Sequence, residues 1–272
     1  MLPVKNKSIL CICFVTGALI FISQNLFSQV GISVSPPRAY YNLNPGETSS
    51  QKIYLSNISK EHALNLSITF GDWEYDDKGN NIMLPPGSLD NSCAGWLTLP
   101  GGTYLSLKPG ENREIDLNMT VPIEGIKGEV QTAMLYVTQM NPLDGADSQG
   151  AAIKINVRQG VKIYRRSSIP EIKKLEIENL GLDRENGSIY LIFTNCGNIW
   201  INGKVSSSLF NKSTGNEVEL EPIDFYTLPG DKRTLSIPMT KPLVKGDFIA
   251  TVMLDYGDKT TIEAAELVFS NE

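Results

Sequence analysis

From Val30 to the end of the chain, apolar and polar residues alternate with a period of two, and this pattern constrains the fold more than any other feature. Runs such as Gln51-Lys-Ile53-Tyr-Leu55, Leu64-Asn-Leu66-Ser-Ile68-Thr-Phe70, Ile115-Asp-Leu117-Asn-Met119 and Ile189-Tyr-Leu191-Ile-Phe193 place every second side chain on one face of an extended strand. Clusters of Gly, Pro, Asn and Asp separate them. Helical periodicity is never sustained beyond a turn or two, and only Glu171 to Asn179 fits either period. Strands roughly 8 to 15 residues apart, with no helices between them, predict an all-β chain of antiparallel sandwiches rather than a parallel α/β sheet.

One turn element recurs, as Leu43-Asn-Pro45-Gly46-Glu47, Leu107-Lys-Pro109-Gly110-Glu111 and Leu228-Pro229-Gly230-Asp231, each followed by an alternating strand. Proline sets the first corner of such a turn, and glycine permits the positive φ that closes it. The repetition points to related immunoglobulin-like modules. At 272 residues the chain is long enough for two domains. A boundary fits at Arg166-Ser-Ser-Ile-Pro170, where a strand ends in small polar residues and a proline, giving an N-terminal domain over 30–166 and a C-terminal domain over 170–272.

Residues 1–29 carry Lys5 and Lys7, an apolar run from Ile9 to Ile22 and a more polar end, the plan of a secretory signal peptide. The run is shorter than the ~20 residues that cross a bilayer. Cleavage near Gln29 puts Phe27 where a small residue is preferred, so the site of the cut stays open. The mature chain is then expected to be soluble outside the cytoplasm. Cys11 and Cys13 leave with the signal, and Cys93 and Cys196, in different domains, are expected as unpaired and mostly buried thiols.

Several functions are disfavoured at this level. A net charge of -6 offers no footprint for nucleic acid. The one histidine, His62, lies in a segment that reads as a solvated loop, so no catalytic site is assigned to it. Asp72, Glu74, Asp76 and Asp77 resemble half a calcium loop, but Gly79 comes two places late and Met83 stands where the final acid belongs. No metal, cofactor or catalytic activity is predicted.

The most informative stretch runs from Ala151 to Arg165, and over its first 13 residues it is apolar at odd positions except Gln159 and mostly polar at even ones. It reads as one strand about twice the usual length. On its own it needs no function beyond closing the first domain. It leaves unexplained two cations, Lys162 within it and Arg38 in Val34-Ser-Pro-Pro-Arg38-Ala-Tyr40.

In order and spacing these features resemble the PapD-like periplasmic chaperones of pilus and fimbrial assembly. Ile153, Ile155 and Val157 match that family's alternating donor residues, and Lys162 and Arg38 match its two basic positions. Gly71-Asp-Trp73-Glu-Tyr75 and Ala133-Met-Leu-Tyr136-Val-Thr-Gln-Met140-Asn-Pro142 extend the similarity over most of domain one, whereas domain two matches only in its strand-rich pattern. The chain departs from the family in a basic-aromatic run, Ile163-Tyr-Arg-Arg166, that is one residue short and lacks its proline, and in a short polar loop from Leu143 to Gly150.

The resemblance implies two immunoglobulin-like domains in an L shape and a periplasmic, non-enzymatic chaperone. It further implies donor-strand complementation. Ile153, Ile155 and Val157 would fill the groove of a pilus subunit that lacks a strand, and Arg38 and Lys162 would hold that subunit's C-terminal carboxylate. Its partners would be that subunit and an outer-membrane assembly platform, with self-association through the free edge as a further expectation. Arg165 and Arg166 are candidates for an interdomain ion pair, with Glu129 as one acid. The competing reading is an extracellular structural or adhesion protein, which would cover its 151-to-163 strand.

Overall fold

The computed structural model describes residues 31–146, 151–239, 243–258 and 261–271, so the expected signal segment lies outside the described residues. The first part of the chain runs through β1 (Ile32–Ser35), β2 (Arg38–Asn42), β3 (Thr48–Asn57), β4 (Leu64–Tyr75), β5 (Asn81–Leu84) and β6 (Leu97–Thr98). It continues through β7 (Tyr104–Leu107), β8 (Asn112–Thr120), β9 (Val130–Gln139), β10 (Leu143–Ala146), β11 (Ala152–Ile155) and β12 (Arg158–Arg166). One sheet has the order β1-β3-β8-β6, and the facing sheet has the order β2-β12-β9-β4-β5 with β7 also on β4. The second part contains β13 (Leu175–Asp183), β14 (Ser188–Asn195), β15 (Ile201–Asn211), β16 (Glu217–Glu219), β17 (Ile223–Thr227), β18 (Lys232–Pro238), β19 (Gly246–Asp255) and β20 (Glu263–Asn271). These form the sheets β13-β14-β18 and β16-β15-β19-β20, with β17 also on β15. The result is an all-β chain of two immunoglobulin-like sandwiches, and the ambiguous segment from Glu171 leads into strand β13.

The cores follow from the alternation. Ile53, Leu55, Leu117 and Met119 of one sheet join Leu66, Ile68, Leu135 and Ile163 of the other in a single buried cluster. Leu191, Phe193, Val205, Phe225, Val252 and Leu254 belong to the second cluster. Each such side chain contributes roughly 1.5 to 3 kcal/mol on burial.

The three proline-glycine turns share one geometry. Gly46, Gly110 and Gly230 have φ of 82°, 69° and 82°. In each, the residue after the glycine donates its N–H to the carbonyl three residues back, at 3.0 to 3.1 Å. The carboxylates of Glu47, Glu111 and Asp231 then accept from the N–H groups of Asn44, Lys108 and Leu228 at 2.6, 2.7 and 2.7 Å. The acid in the repeated element therefore clamps the turn that proline and glycine shape.

Three expectations are corrected. The stretch from Ala151 to Arg165 is not one strand, because it breaks at Asn156 and Val157 into β11 and β12. β9 ends at Gln139, whose N–H donates to the Val157 carbonyl at 2.9 Å, and beyond that point the pair leaves the sheet. Leu143 to Ala146 is strand rather than polar loop, pairing with β11 in a two-stranded ribbon with Leu143 opposite Ile155. Cys93 is buried as expected, but Cys196 is exposed; both are unpaired.

Candidate functional site: two cations at the end of an open strand edge

β2 and β12 run parallel, and their register places Arg38 beside Lys162 and Tyr40 beside Tyr164. Val161 and Ile163 are fully buried in the core, so Lys162 and Tyr164 point from the opposite face of the sheet. Trp73 and Tyr75, two apart on β4, share that outer face.

Lys162 Nζ lies 3.8 Å from the centre of the Trp73 ring and 4.1 Å from that of Tyr75. It donates hydrogen bonds to Tyr75 Oη at 2.9 Å and Asn81 Oδ1 at 2.6 Å. All four contacts are to neutral groups. Burial, with repulsion from Arg38 and Arg233 added, lowers the ammonium from its ordinary value of 10.5 to about 7. Arg38 lies over the Tyr226 ring at 4.9 Å and keeps part of its surface open to solvent.

The second domain covers this face. Leu228 packs in a buried cluster with Trp73, Met134, Tyr136 and Tyr164, and Trp200 packs against it. Tyr40, Tyr164 and Trp200 form a triangle of rings, each pair with centres 5.1 Å apart. Arg233 donates to the Tyr226 carbonyl at 3.0 Å, to the Asp76 carbonyl at 2.8 Å and to Asp231. Asp231 is already clamping its turn, and burial raises its carboxyl above the usual range even with Arg233 alongside. The cations therefore sit where the two domains meet.

The strand edge leading to them is open. Arg158 to Val161 pair with Thr138 to Leu135 of β9 on one side. On the other side β2 begins only opposite Lys162. β11 pairs with β10 alone among the described residues. Along this edge Ile153 is 39% exposed, while Ile155 and Val157 are half-buried and Val157 packs against the core. Gln159, the polar exception in the alternation, donates to the Ile32 carbonyl at 2.9 Å and so ties the edge to β1.

Arg165 and Arg166 do not engage Glu129 in an ion pair. Arg165 is 2% exposed and spends its guanidinium on the Leu43 carbonyl and Gln131 Oε1, inside domain one. Arg166 pairs with Glu171 at 2.8 Å, across the linker. Sequence reasoning did not assign roles to Trp73, Tyr75, Asn81, Trp200, Tyr226 or Arg233. Trp73 and Tyr75 carried a signal, since aromatic residues two apart on a strand whose other face is already apolar call for a second cover. Among the described residues no cluster of His, Cys, Asp or Glu is arranged to hold a metal.

No family model matches the chain, and no curated protein matches it. Solved structures do. The chain is similar to fimbrial chaperones. The class 5 fimbriae chaperone CfaA is 14% identical, with 88% of this chain and 98% of that one covered and a TM-score of 0.47. The E. coli chaperone DraB is 16% identical, with 88% and 99% covered and a TM-score of 0.46. A Salmonella enterica structure of the SafA pilin in complex with the SafB chaperone gives 12% identity, 88% and 97% covered and a TM-score of 0.48.

Proposed function

We propose that this protein is a periplasmic chaperone that receives a strand-deficient pilus or fimbrial subunit along β11 and β12 and holds the subunit's C-terminal carboxylate between Arg38 and Lys162. The observation that carries the reading is the way the open edge ends: β2 closes it at Lys162, and the first residue of β2, Arg38, lies directly alongside. A strand added to this edge in the direction of β12 has its C-terminus brought up against β2, next to two cations, with no carboxylate in contact with Lys162 among the described residues. Backbone hydrogen bonds supply the pairing, and alternate side chains supply the contact.

Ile153, Ile155 and Val157 are the residues offered to the partner's groove, each worth roughly 1.5 to 3 kcal/mol if fully covered. The cations fix register more than affinity. A structural spacer would blunt such an edge, so the exposed Ile153 and a β11 that pairs with β10 alone among the described residues favour the chaperone reading over an adhesion module. Alone, the same edge is available to a second copy of the chain. Delivery to an outer-membrane assembly platform and removal of residues 1–29 belong to the same proposal. No catalytic step is required.

Co-expression with a candidate subunit tests this. Retention of the subunit by the wild type and its loss from Arg38→Ala/Lys162→Ala is the expected outcome. Undiminished co-purification defeats the anchor, and a mature protein that still carries residues 1–29 defeats the export assignment.

A further inference from the structure

We infer that Lys162 makes carboxylate capture a proton-coupled event: the free site holds this amine without a counter-charge, and a carboxylate arriving beside it draws a proton from solvent. The inference rests on the anchor reading above and adds a property that Arg38 lacks.

The groups around Lys162 come from every element packed on it. β4 supplies the Trp73 and Tyr75 rings, β5 supplies Asn81 Oδ1, and β9 supplies the thioether Met134, its register partner. β2 supplies the cation Arg38, and β18 supplies Arg233. Tyr164, two residues along β12, has its own phenol raised by burial and hydrogen-bonds with Tyr75. The nearby acid Asp231 is engaged by Arg233 and by the Leu228 N–H. His62 sits 53% exposed on a loop that contributes nothing to these contacts.

For this lysine, two ring faces and two neutral acceptors replace only part of the hydration that the charged amine loses on burial, and Arg38 and Arg233 repel it. The lowered value of about 7 agrees with that environment. A carboxylate placed between Arg38 and Lys162 reverses the balance and raises the amine toward its ordinary range. Linkage then fixes the sign. Below pH 7 the amine is protonated in both states and affinity is flat. Above it, affinity falls by up to about tenfold per pH unit until the bound-state value is reached. Arg38 is charged throughout and adds no such slope.

Two measurements test this. Lysine labelled with 13C at Cε, with Lys162 assigned by the signal lost in Lys162→Arg, should titrate near neutral pH in the free protein; titration of Lys162 near 10 overturns the inference whatever binds. Calorimetry at pH 8 in phosphate and in Tris would use a ten-residue alternating Val-Thr peptide with a free C-terminal carboxylate, and its C-terminal amide. The acid should bind more tightly than the amide with close to one proton taken up, and Lys162→Arg should bind it with none. Tighter binding of the acid without proton uptake, or uptake that persists in Lys162→Arg, overturns the inference and leaves the anchor standing. Equal binding of acid and amide removes the anchor, and absence of binding by both removes the open-edge reading; the inference falls with either.

Discussion

The guanidinium of Arg233, in the second domain, donates to the main-chain carbonyl of Asp76 in the first at 2.8 Å. Next to it the Thr234 N–H donates to the Asp77 carbonyl at 2.7 Å, so the end of the β4 strand and the start of β18 are stitched together. Arg233 is 1% exposed and has Asp231 as its ionic partner. Removing it leaves the half-buried Asp231 carboxylate with the Leu228 N–H as partner but no cation, and takes the guanidinium donor from the Asp76 carbonyl. Arg233→Ala is expected to lower stability by about 3 to 5 kcal/mol in urea unfolding, and Arg233→Lys to recover only part, because an ammonium lacks the planar fork. A loss below about 1 kcal/mol would show that the seam is not held by this residue.

The residues proposed as donors should separate in a way their shared alternation does not suggest. Ile153 lies exposed on the ribbon, so Ile153→Asp should change thermal stability by no more than about 0.5 kcal/mol while abolishing partner capture. Val157 packs on the core, and Val157→Asp should cost about 1 to 3 kcal/mol as well as capture. Equal melting temperatures for the two variants would contradict the break in the strand.

Gly203 on β15 should be irreplaceable even by alanine. A Cβ there would collide with Phe225 Cζ and lie 2.7 Å from the Asp255 carbonyl oxygen. Phe225 is itself held edge-on against Phe193 with ring centres 4.9 Å apart, so it has little room to retreat. Gly203→Ala should destabilise the protein by about 1 to 3 kcal/mol, measured by chemical unfolding.

Lys162 also predicts a pH slope in stability. Its folded-state value is near 7 and its ordinary value 10.5, so between these limits the unfolded chain binds the extra proton and stability rises with pH. Below pH 7 the charged amine is held in an unfavourable site in the folded protein, and that contribution is gone. The stability of the wild type relative to Lys162→Met should therefore improve from pH 7 toward pH 10; a flat difference would rule out the lowered value.

The two thiols of the described chain should differ sharply. Cys93 is fully buried, and burial pushes its thiol well above the usual range, whereas Cys196 is exposed. A water-soluble disulfide reagent should modify Cys196 in the native protein and Cys93 only after unfolding. Rapid native labelling of Cys93 would mean that the core around Tyr41 and Leu97 opens readily.

Period-two alternation was enough to read the strands and the two cores, because a buried face imposes itself on every second residue. The Pro-Gly turns were legible for the same local reason. What alternation does not encode is how many covers a sheet has. Trp73, Tyr75 and Tyr164 lie on the face away from the core, and only the arrival of Leu228 and Trp200 from a distant part of the chain makes that face an interior. Arg233 was opaque because one of its acceptors is a backbone carbonyl in the other domain, which no side-chain pattern announces. Arg38 and Lys162 were paired through resemblance, and parallel strands put them in register. The bend at Asn156 was missed because the apolar alternation continues through it, while the strand that β9 offers as a neighbour stops at Gln139.

Because β2 butts against the open edge at Lys162, that edge has a doorstop at one end, and at the other no strand among the described residues closes it. On the function proposed above, a guest chain lying along it would be measured from its last residue backwards, whatever its length upstream. Residues appended after a guest's natural terminus have no berth, so an affinity handle for fishing out such guests belongs at their opposite end.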